Sequence, residues 1–542
     1  MPAYTNSGPD PNRSLTTRPQ FASNLASSFN AVPDTCQRHT LQTTTQMSSL
    51  KKLHQCENGR PSGRLVATTI AGLVALALTG CSTPVVKPSI DVPSRFAAAS
   101  ASDQEPETLW WDAYGDPVLS DLVRRAAGEN RTVKIAIEHV RAARGGEKIS
   151  RSWMLPSIGI GAAGYDQNTG YGLPIRQGVP LAADSRVGGA GAEVSWEIDL
   201  SGRLRAGAAA AAADAIAAEY GARGVRLLVL TDVANSYFTL VGALRQLETV
   251  RAIAAAQDET LRLVTARQRV GLATAFDVER VQTEASQAHA AVPPLETLAA
   301  ISRHRIAVLI GDQAFNAETI KPWSGETIVP ATRAGQPATL LQRRPDLMVA
   351  KSQLDAANAR RQQAAAEWFP RLFVTALFGR ESLDANGIAL GSARFSNVAG
   401  LLAMPVFNAG RTQSINDIAQ SAQSEAVLRY EDAMIRAMED VENALAALGD
   451  ERQRSQSLQS AAQSADAALG RAQSLYDRGQ IDLLPLLDAQ RTRLAARVNA
   501  NDSHTQLLLD SVQLYKALGG GWQSFEPITP PAAAGAAPPS NS

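Results

Sequence analysis

Val194, Trp196, Ile198 and Leu200 alternate one for one with Glu193, Ser195, Glu197 and Asp199. That period of two puts the apolar set on one face of a strand and the polar set on the other. Residues 156–165, with Ile158 and Ile160 on one face, predict a partner strand, and the Gly-, Pro- and polar-rich stretch 171–186 predicts the loop between them. The period then changes. Residues 203–270 read as one helix, in which Val233, Tyr237, Leu240, Leu244 and Leu247 form a heptad seam with spacings of four and three. Such a helix would be roughly 100 Å long. A turn at 271–275 reverses the chain, and a returning helix is expected over 276–311, broken or kinked at Pro293-Pro294. Ahead of the strands, Asp116-Pro117 is an N-cap and first-turn pair for a helix expected over 116–150.

The whole pattern then recurs. Leu155-Pro156 is matched by Phe369-Pro370, Gly202-Arg203 by Gly410-Arg411, and Asp232-Val233-Ala234-Asn235 by Asp440-Val441-Glu442-Asn443. From Gly202 onward the second member of each pair follows 208 residues after the first (410 against 202, 479 against 271, 519 against 311). Before that point the offset is 214 (370 against 156), so the first hairpin is the longer. A length difference confined to one turn is what an exposed loop tolerates. The second copy therefore predicts a helix from Pro345, strands within 370–380 and 394–407, a long helix from Arg411, a turn at Gly479 and a helix to Gly519.

Net charge is zero and aromatic content only 5%, while alanine concentrates in the helical runs. No polyanion-binding or nucleic-acid-binding character is present, and the composition suits long, closely packed helices. The three cysteines, Cys36, Cys56 and Cys81, precede the duplicated region and form no CxxC pair, which argues against a zinc or redox-dithiol site. Residues 1–46 are Ser-, Thr-, Pro- and Asn-rich and read as a disordered or untranslated extension. From Met47 the chain carries Lys51, Lys52, Arg60 and Arg64, then an apolar run over 65–78. A run of fourteen residues is too short for a membrane-spanning helix, which needs ~20, but suits a secretory signal. Leu78-Thr79-Gly80-Cys81 resembles a bacterial lipobox, with residues 47–80 as the signal peptide and Cys81 as the lipidated first residue. Residues 81–108 then read as a linker, 109–312 as the first repeat, 313–342 as a connector, 343–522 as the second repeat and 523–542 as a disordered tail.

Four strands per chain cannot close a barrel with a lumen, and an open sheet edge cannot stand in lipid. Three chains would supply twelve strands, a sensible pore. The expected fold is mainly α with membrane β: a long coiled-coil helical barrel plus four strands per chain, contributing to a trimeric twelve-stranded outer-membrane β-barrel. Several short motifs carry a resemblance at this point: Leu109-Trp110-Trp111-Asp112 with Gly115-Asp116-Pro117, Val292-Pro293-Pro294-Leu295-Glu296, Arg343-Arg344-Pro345-Asp346-Leu347, and Leu487-Asp488-Ala489-Gln490. In this order, with the lipobox and the duplication, the chain resembles the TolC-like outer membrane efflux proteins. Within them it is similar to the lipoprotein subgroup, of NodT and OprM type, that serves resistance-nodulation-division pumps.

The resemblance implies a homotrimer in outer-membrane lipid that passively conducts drugs, metal ions or other small toxic compounds. A periplasmic adaptor and a proton-driven inner-membrane pump would deliver them, and no nucleic acid is involved. It implies adaptor contact at the helix-turn tips, through Val270, Gly271, Leu272, Thr274 and Gly479. It implies an aperture at Asp488, three copies of which would form an acidic ring, with Tyr476 and Asp277 in a network that ties the tips. The chain departs from the family at Pro485, where a companion acid is expected, and at Ile481, where an arginine is. A helix-turn glycine and a solvated helix carboxylate are the plain alternatives for Gly271 and Asp488. No cofactor is expected beyond the lipid on Cys81. Gly159-Ile160-Gly161-Ala162-Ala163-Gly164 spells GxGxxG but leads into a loop, not a helix N-terminus, and the six histidines have no metal spacing. Nothing therefore points to an enzyme. The rivals are a periplasmic coiled-coil lipoprotein, which would need no alternating hairpins, and a channel for type I polypeptide secretion.

Overall fold

The computed structural model describes residues 85–89, 91–97, 104–168, 184–312, 314, 318, 320–324, 327–331, 333–385 and 388–525. All of them fall in one unit, Gly80–Ser542. The signal peptide, Cys81 and most of the loop 171–186 lie outside the described residues, as does the tail from 526. The first copy comprises α1 (Pro117–Glu129), α2 (Arg131–Ser152), β1 (Ser157–Asn168), β2 (Asp184–Ile198), α3 (Arg203–Arg269), α4 (Ala275–Ala290) and α5 (Val292–Leu309). The second comprises α6 (Pro345–Ala365), β3 (Arg371–Ala385), β4 (Ile388–Ala403), α7 (Arg411–Asp477) and α8 (Leu483–Ala517).

Local chemistry accounts for most boundaries. Asp116 caps α1, its Oδ1 accepting from the Val118 and Leu119 amides at 2.9 and 3.1 Å. The single helix expected over 116–150 is in fact two. Asn130 breaks it, because its Oδ1 caps the Thr132 and Val133 amides while its Nδ2 donates to the Leu309 carbonyl at 2.7 Å. Pro293 and Pro294 sit in the first turn of α5, where a missing amide costs little, so the break falls at Ala291. Both 67-residue helices are entered through a left-handed glycine, Gly202 or Gly410. Both end in a Schellman turn. Leu272 and Gly271 donate to the Arg267 and Gln268 carbonyls, and Gln480 and Gly479 to those of Leu475 and Tyr476. Gly271 and Gly479 hold φ +79° and +72° there, a region that costs a side chain ~1–2 kcal/mol.

The four strands form one antiparallel sheet in the order β1-β2-β3-β4, so the two hairpins join through β2 and β3. Ile158, Val194, Ala376 and Val398 lie opposite one another across it, and so do Ser157, Ser195, Thr375 and Ala399. The Ile158 and Val194 face is apolar at this level, and the other carries Glu193, Glu197, serine and threonine together with Phe373 and Leu377. The strands run further than expected, because the residues that extend them (166–168, 184–188 and 381–385) are mostly polar and read as loop. The outer edges of β1 and β4 have no partner strand among the described residues.

The core lies where the two copies meet. Trp110 stacks on Tyr515 at 5.3 Å, and Trp111 on Phe525 at 5.6 Å. The Tyr237 hydroxyl donates to Asp116 Oδ2 at 2.7 Å and accepts from the Trp323 amide, while Tyr114 and Ser511 share a 2.6 Å hydrogen bond. Phe525 in this cluster moves the start of the tail beyond the expected 523. A second cluster surrounds Phe96, Leu347, Met434, Val441 and Leu445. Here the stretch expected to be a linker lies along α7. The Ser89 and Ala97 amides donate to Glu431 and Glu442, and Phe96 is buried. Arg344 is buried beside it, donating to Asp346, Asp440 and the Ala517 carbonyl. The Arg343-Arg344-Pro345-Asp346 motif and the Asp440-Val441 repeat thus serve one structural joint.

Candidate functional site

The tips of the long helices lie at the end of the helical body away from the strands. Val264 of α3, Val281 of α4 and Leu487 of α8 are buried together and bind the two helix turns into one apolar knot. Beyond it, Val270 and Leu272 stand in solvent on either side of Gly271. Phe276 and Leu484 are exposed beside them, two apolar positions that the motif-based reading missed. The signal for Phe276 was its place in the first turn after the Thr274 cap, in an aromatic-poor chain.

Thr274 and Asp277 form a capping box. Thr274 Oγ1 accepts from the Asp277 amide at 3.1 Å, and Asp277 Oδ2 accepts from the Thr274 amide at 2.9 Å and hydroxyl at 2.7 Å. These bonds, the backbone one foremost, hold the Asp277 carboxyl below the usual carboxylate range. Asp277 is thereby committed to the turn itself. Tyr476 is largely buried, and the Arg267 guanidinium lies 4.4 Å from its ring centroid. Ile481 supplies no cation here, but α3 brings Arg267 to this tyrosine.

Asp488 is exposed on α8, one turn from the tip. Leu487 beside it anchors the helix, and Arg491, one turn on, is fixed to Glu284 by bonds of 2.6 and 2.8 Å. Glu284 raises the Arg491 pKa, and Asp488 adds a smaller push in the same direction. The carboxylate therefore projects from a braced helix with an arginine below it. Arg267 and Arg491 had no signal in the sequence, since each meets a partner about 200 residues away. Between α3, α7 and α8 a cleft of about 520 Å³ has an apolar wall of Ile253, Leu263 and Leu469 with Gln257, Asp466 and Arg493 among its polar groups. Among the described residues no cluster of three His, Cys, Asp or Glu side chains could hold a metal ion.

The pattern of the family described as "Outer membrane efflux protein" matches residues 122–312 and 337–520. The chain belongs to the outer membrane efflux protein family. It is 30% identical over 456 residues to the outer membrane protein OprJ of Pseudomonas aeruginosa, spanning 83% of this chain and 95% of that one. It is 28% identical over 463 residues to the cation efflux system protein CusC of Escherichia coli, spanning 83% and 98%. Among solved structures, the open state of the MtrE outer membrane channel of Neisseria gonorrhoeae superposes with a TM-score of 0.70 at 25% identity, covering 82% of this chain and 98% of that one. As an outer membrane efflux protein the chain is the outer-membrane channel component of an efflux system. Its strands belong at the membrane and its helices in the periplasm. The two matched segments are the two copies of the repeat, so the family pattern and the internal duplication coincide.

Proposed function

We propose that three copies of this outer membrane efflux protein share one twelve-stranded barrel, continued by a tube of the long helices, and that the tube conducts small toxic compounds passively. The observation that carries this reading is that the outer edges of β1 and β4 have no partner strand among the described residues. Backbone groups along them would be unsatisfied in hydrocarbon, at several kcal/mol each, unless further copies pair with them. The apolar face of Ile158, Val194, Ala376 and Val398 suits lipid, and the Glu193 and Glu197 face suits a wet lumen. A lipid on Cys81 would add an anchor.

Cargo would arrive from a proton-driven inner-membrane pump through a periplasmic adaptor seated on the exposed Val270, Leu272, Phe276 and Leu484. Gly271 and Gly479 give that surface its shape, and Thr274 stiffens it. Three Asp488 carboxylates would form a ring favouring cations. Relatives are named for cations and toluene, so drugs, metal ions and solvents are the cargo classes to try. Purified protein in planar bilayers tests the reading. A trimer with steady conductance, whose cation preference falls in Asp488→Asn, is expected. A stable monomer that carries no ions would end it, and unchanged selectivity in the variant would remove the ring. Mass spectrometry of the mature N-terminus would show acyl chains on Cys81 or rule them out.

A further inference from the structure

The Ile158 face of the sheet changes character along its length. Beside the helices it opens with Ile198, Leu372 and Leu402, and it stays largely apolar as far as Ile160 and Phe378. The next row is Ala162, Ala190, Arg380 and Arg394, with the two arginines directly opposite one another on β3 and β4. Both are exposed. Like charges facing each other across an antiparallel pair destabilise it. Among the described residues neither guanidinium meets a carboxylate. The nearest acids on this face, Asp166 and Asp384, stand two rows further out, ~13 Å along the strands. There Asp166 accepts from Arg186 at 2.8 Å, and Asp384 lies opposite the same arginine. The chain itself therefore leaves the charge of the Arg380 and Arg394 pair uncompensated.

Depth decides what can compensate it. Arg380 and Arg394 lie eight residues along their strands from Leu372 and Leu402 (380 against 372, 394 against 402). At ~3.4 Å per residue and a tilt of ~40°, that is ~20 Å along the membrane normal. Met404, Val406 and Phe407 extend the exposed apolar surface on the helix side. The apolar band of a membrane barrel is ~25 Å tall. The arginines therefore stand at its rim, on the side away from the helices, which is the outer surface of the membrane. Exposed Ile160 and Phe378 lie one row below them, toward the hydrocarbon. At that level an arginine stays charged at little cost. Its planar fork matches the oxygens of a phosphate.

We infer that Arg380 and Arg394 bind the phosphate of an outer-leaflet lipid, whose acyl chains lie over Phe378 and Ile160. The two guanidiniums donate to one phosphate group from either side, and the anion relieves the like-charge contact across β3 and β4. Alanine at 162 and 190 keeps the adjoining surface low, so a headgroup can rest against β2. A dissolved phosphate offers the same oxygens but no hydrocarbon. The apolar row directly beneath the arginines therefore favours the lipid as the source of the anion. Each protomer carries one such site on the face turned away from the conduit. Its effect is to fix how deep the barrel sits in the membrane, not to choose cargo.

The inference rests on the reading that the Ile158 face meets lipid. The full-length protein, inserted into phosphatidylcholine vesicles doped with bisphosphorylated lipid A and then released for native mass spectrometry, should retain lipid A. Arg380→Gln with Arg394→Gln should weaken that retention ~10-fold or more, with assembly state and conductance unchanged. Lipid A stripped of both phosphates should be retained by neither protein. Equal retention by the double variant, or by the wild type for the dephosphorylated lipid, overturns the site. Complete displacement of lipid A by inorganic phosphate would make it a site for a free anion and overturns the lipid assignment. Vesicles of phosphatidylcholine alone separate the failures. A wild-type chain that does not insert there overturns the reading of the Ile158 face, whereas insertion without retention of lipid A overturns the site alone. If the double variant fails to insert, Arg394→Gln alone breaks the pair and carries the same comparison.

Discussion

Individual residues in this chain divide into those that hold the joint between the copies and those that face the conduit. Arg344 belongs to the first group. It is buried with bonds to Asp346, Asp440 and the Ala517 carbonyl, and those partners keep its pKa raised although burial opposes them. Arg344→Ala removes several charged hydrogen bonds, each ~1.5–3 kcal/mol, but its two aspartates are half exposed and can rehydrate. A net loss of about 2 kcal/mol is therefore expected, read as a fall in thermal midpoint with the trimer otherwise intact. His504 reports on acid. Burial, with the Arg245 charge adding to it, lowers its pKa from 6.5 to about 4, and its Nε2 is buried without a hydrogen-bond partner. The unfolded chain binds a proton between those values that the folded chain refuses, so stability present above pH 6.5 drains away as pH falls toward 4. His504→Gln should flatten the pH dependence of the melting temperature in that window, and an unaltered slope would assign the acid limb to other groups.

At the scale of elements, the sequence was most legible where chemistry punctuates it. Gly202, Gly271, Gly410 and Gly479 delimit both long helices within a residue or two of expectation, because each sits at a left-handed turn that favours glycine. Asn130 was not legible as a break. Its effect depends on Leu309, which arrives from the far end of the repeat. The outer ends of the strands were missed because Asp166, Gln167 and Asn168 of β1, Asp184, Ser185 and Arg186 of β2 and residues 381–384 of β3 are mostly polar and read as loop. The burial of Phe96 on α7 and of Phe525 on Trp111 is likewise a tertiary event. At the tip, the residues of the turn were nameable from the chain, whereas Arg267 over Tyr476 and Glu284 on Arg491 were not, since those pairs are assembled by helix packing. The capping box offers an element-scale check. Thr274→Val should cost about 1 kcal/mol, felt locally as faster amide exchange over the first turn of α4, while the midpoint of global unfolding barely moves. Protection that is unchanged there would mean that packing at Val281, not the cap, sets where the helix begins.

At the scale of the whole molecule, the duplication lets one gene product supply the same hairpin and long-helix pair twice, joined through β2 and β3. The family pattern spans both, and the chemistry that closes a tube is spread over strand edges and helix faces without any single pocket. We predict that Cys81→Ala removes the proposed acylation yet leaves trimers and conductance in place, because the buried clusters among the described residues are built from Phe96 onward. Loss of trimers in that variant would make the anchor part of assembly. The bare margins of β1 and β4 have one more consequence, and it concerns biogenesis. A newly exported chain cannot finish its sheet alone without leaving a sticky ledge of amides and carbonyls, an invitation to promiscuous aggregation. Insertion should therefore behave as a collision-limited process: refolding into vesicles should accelerate more steeply than in proportion to protein concentration, and dilution should strand the chain in a protease-sensitive, unassembled form.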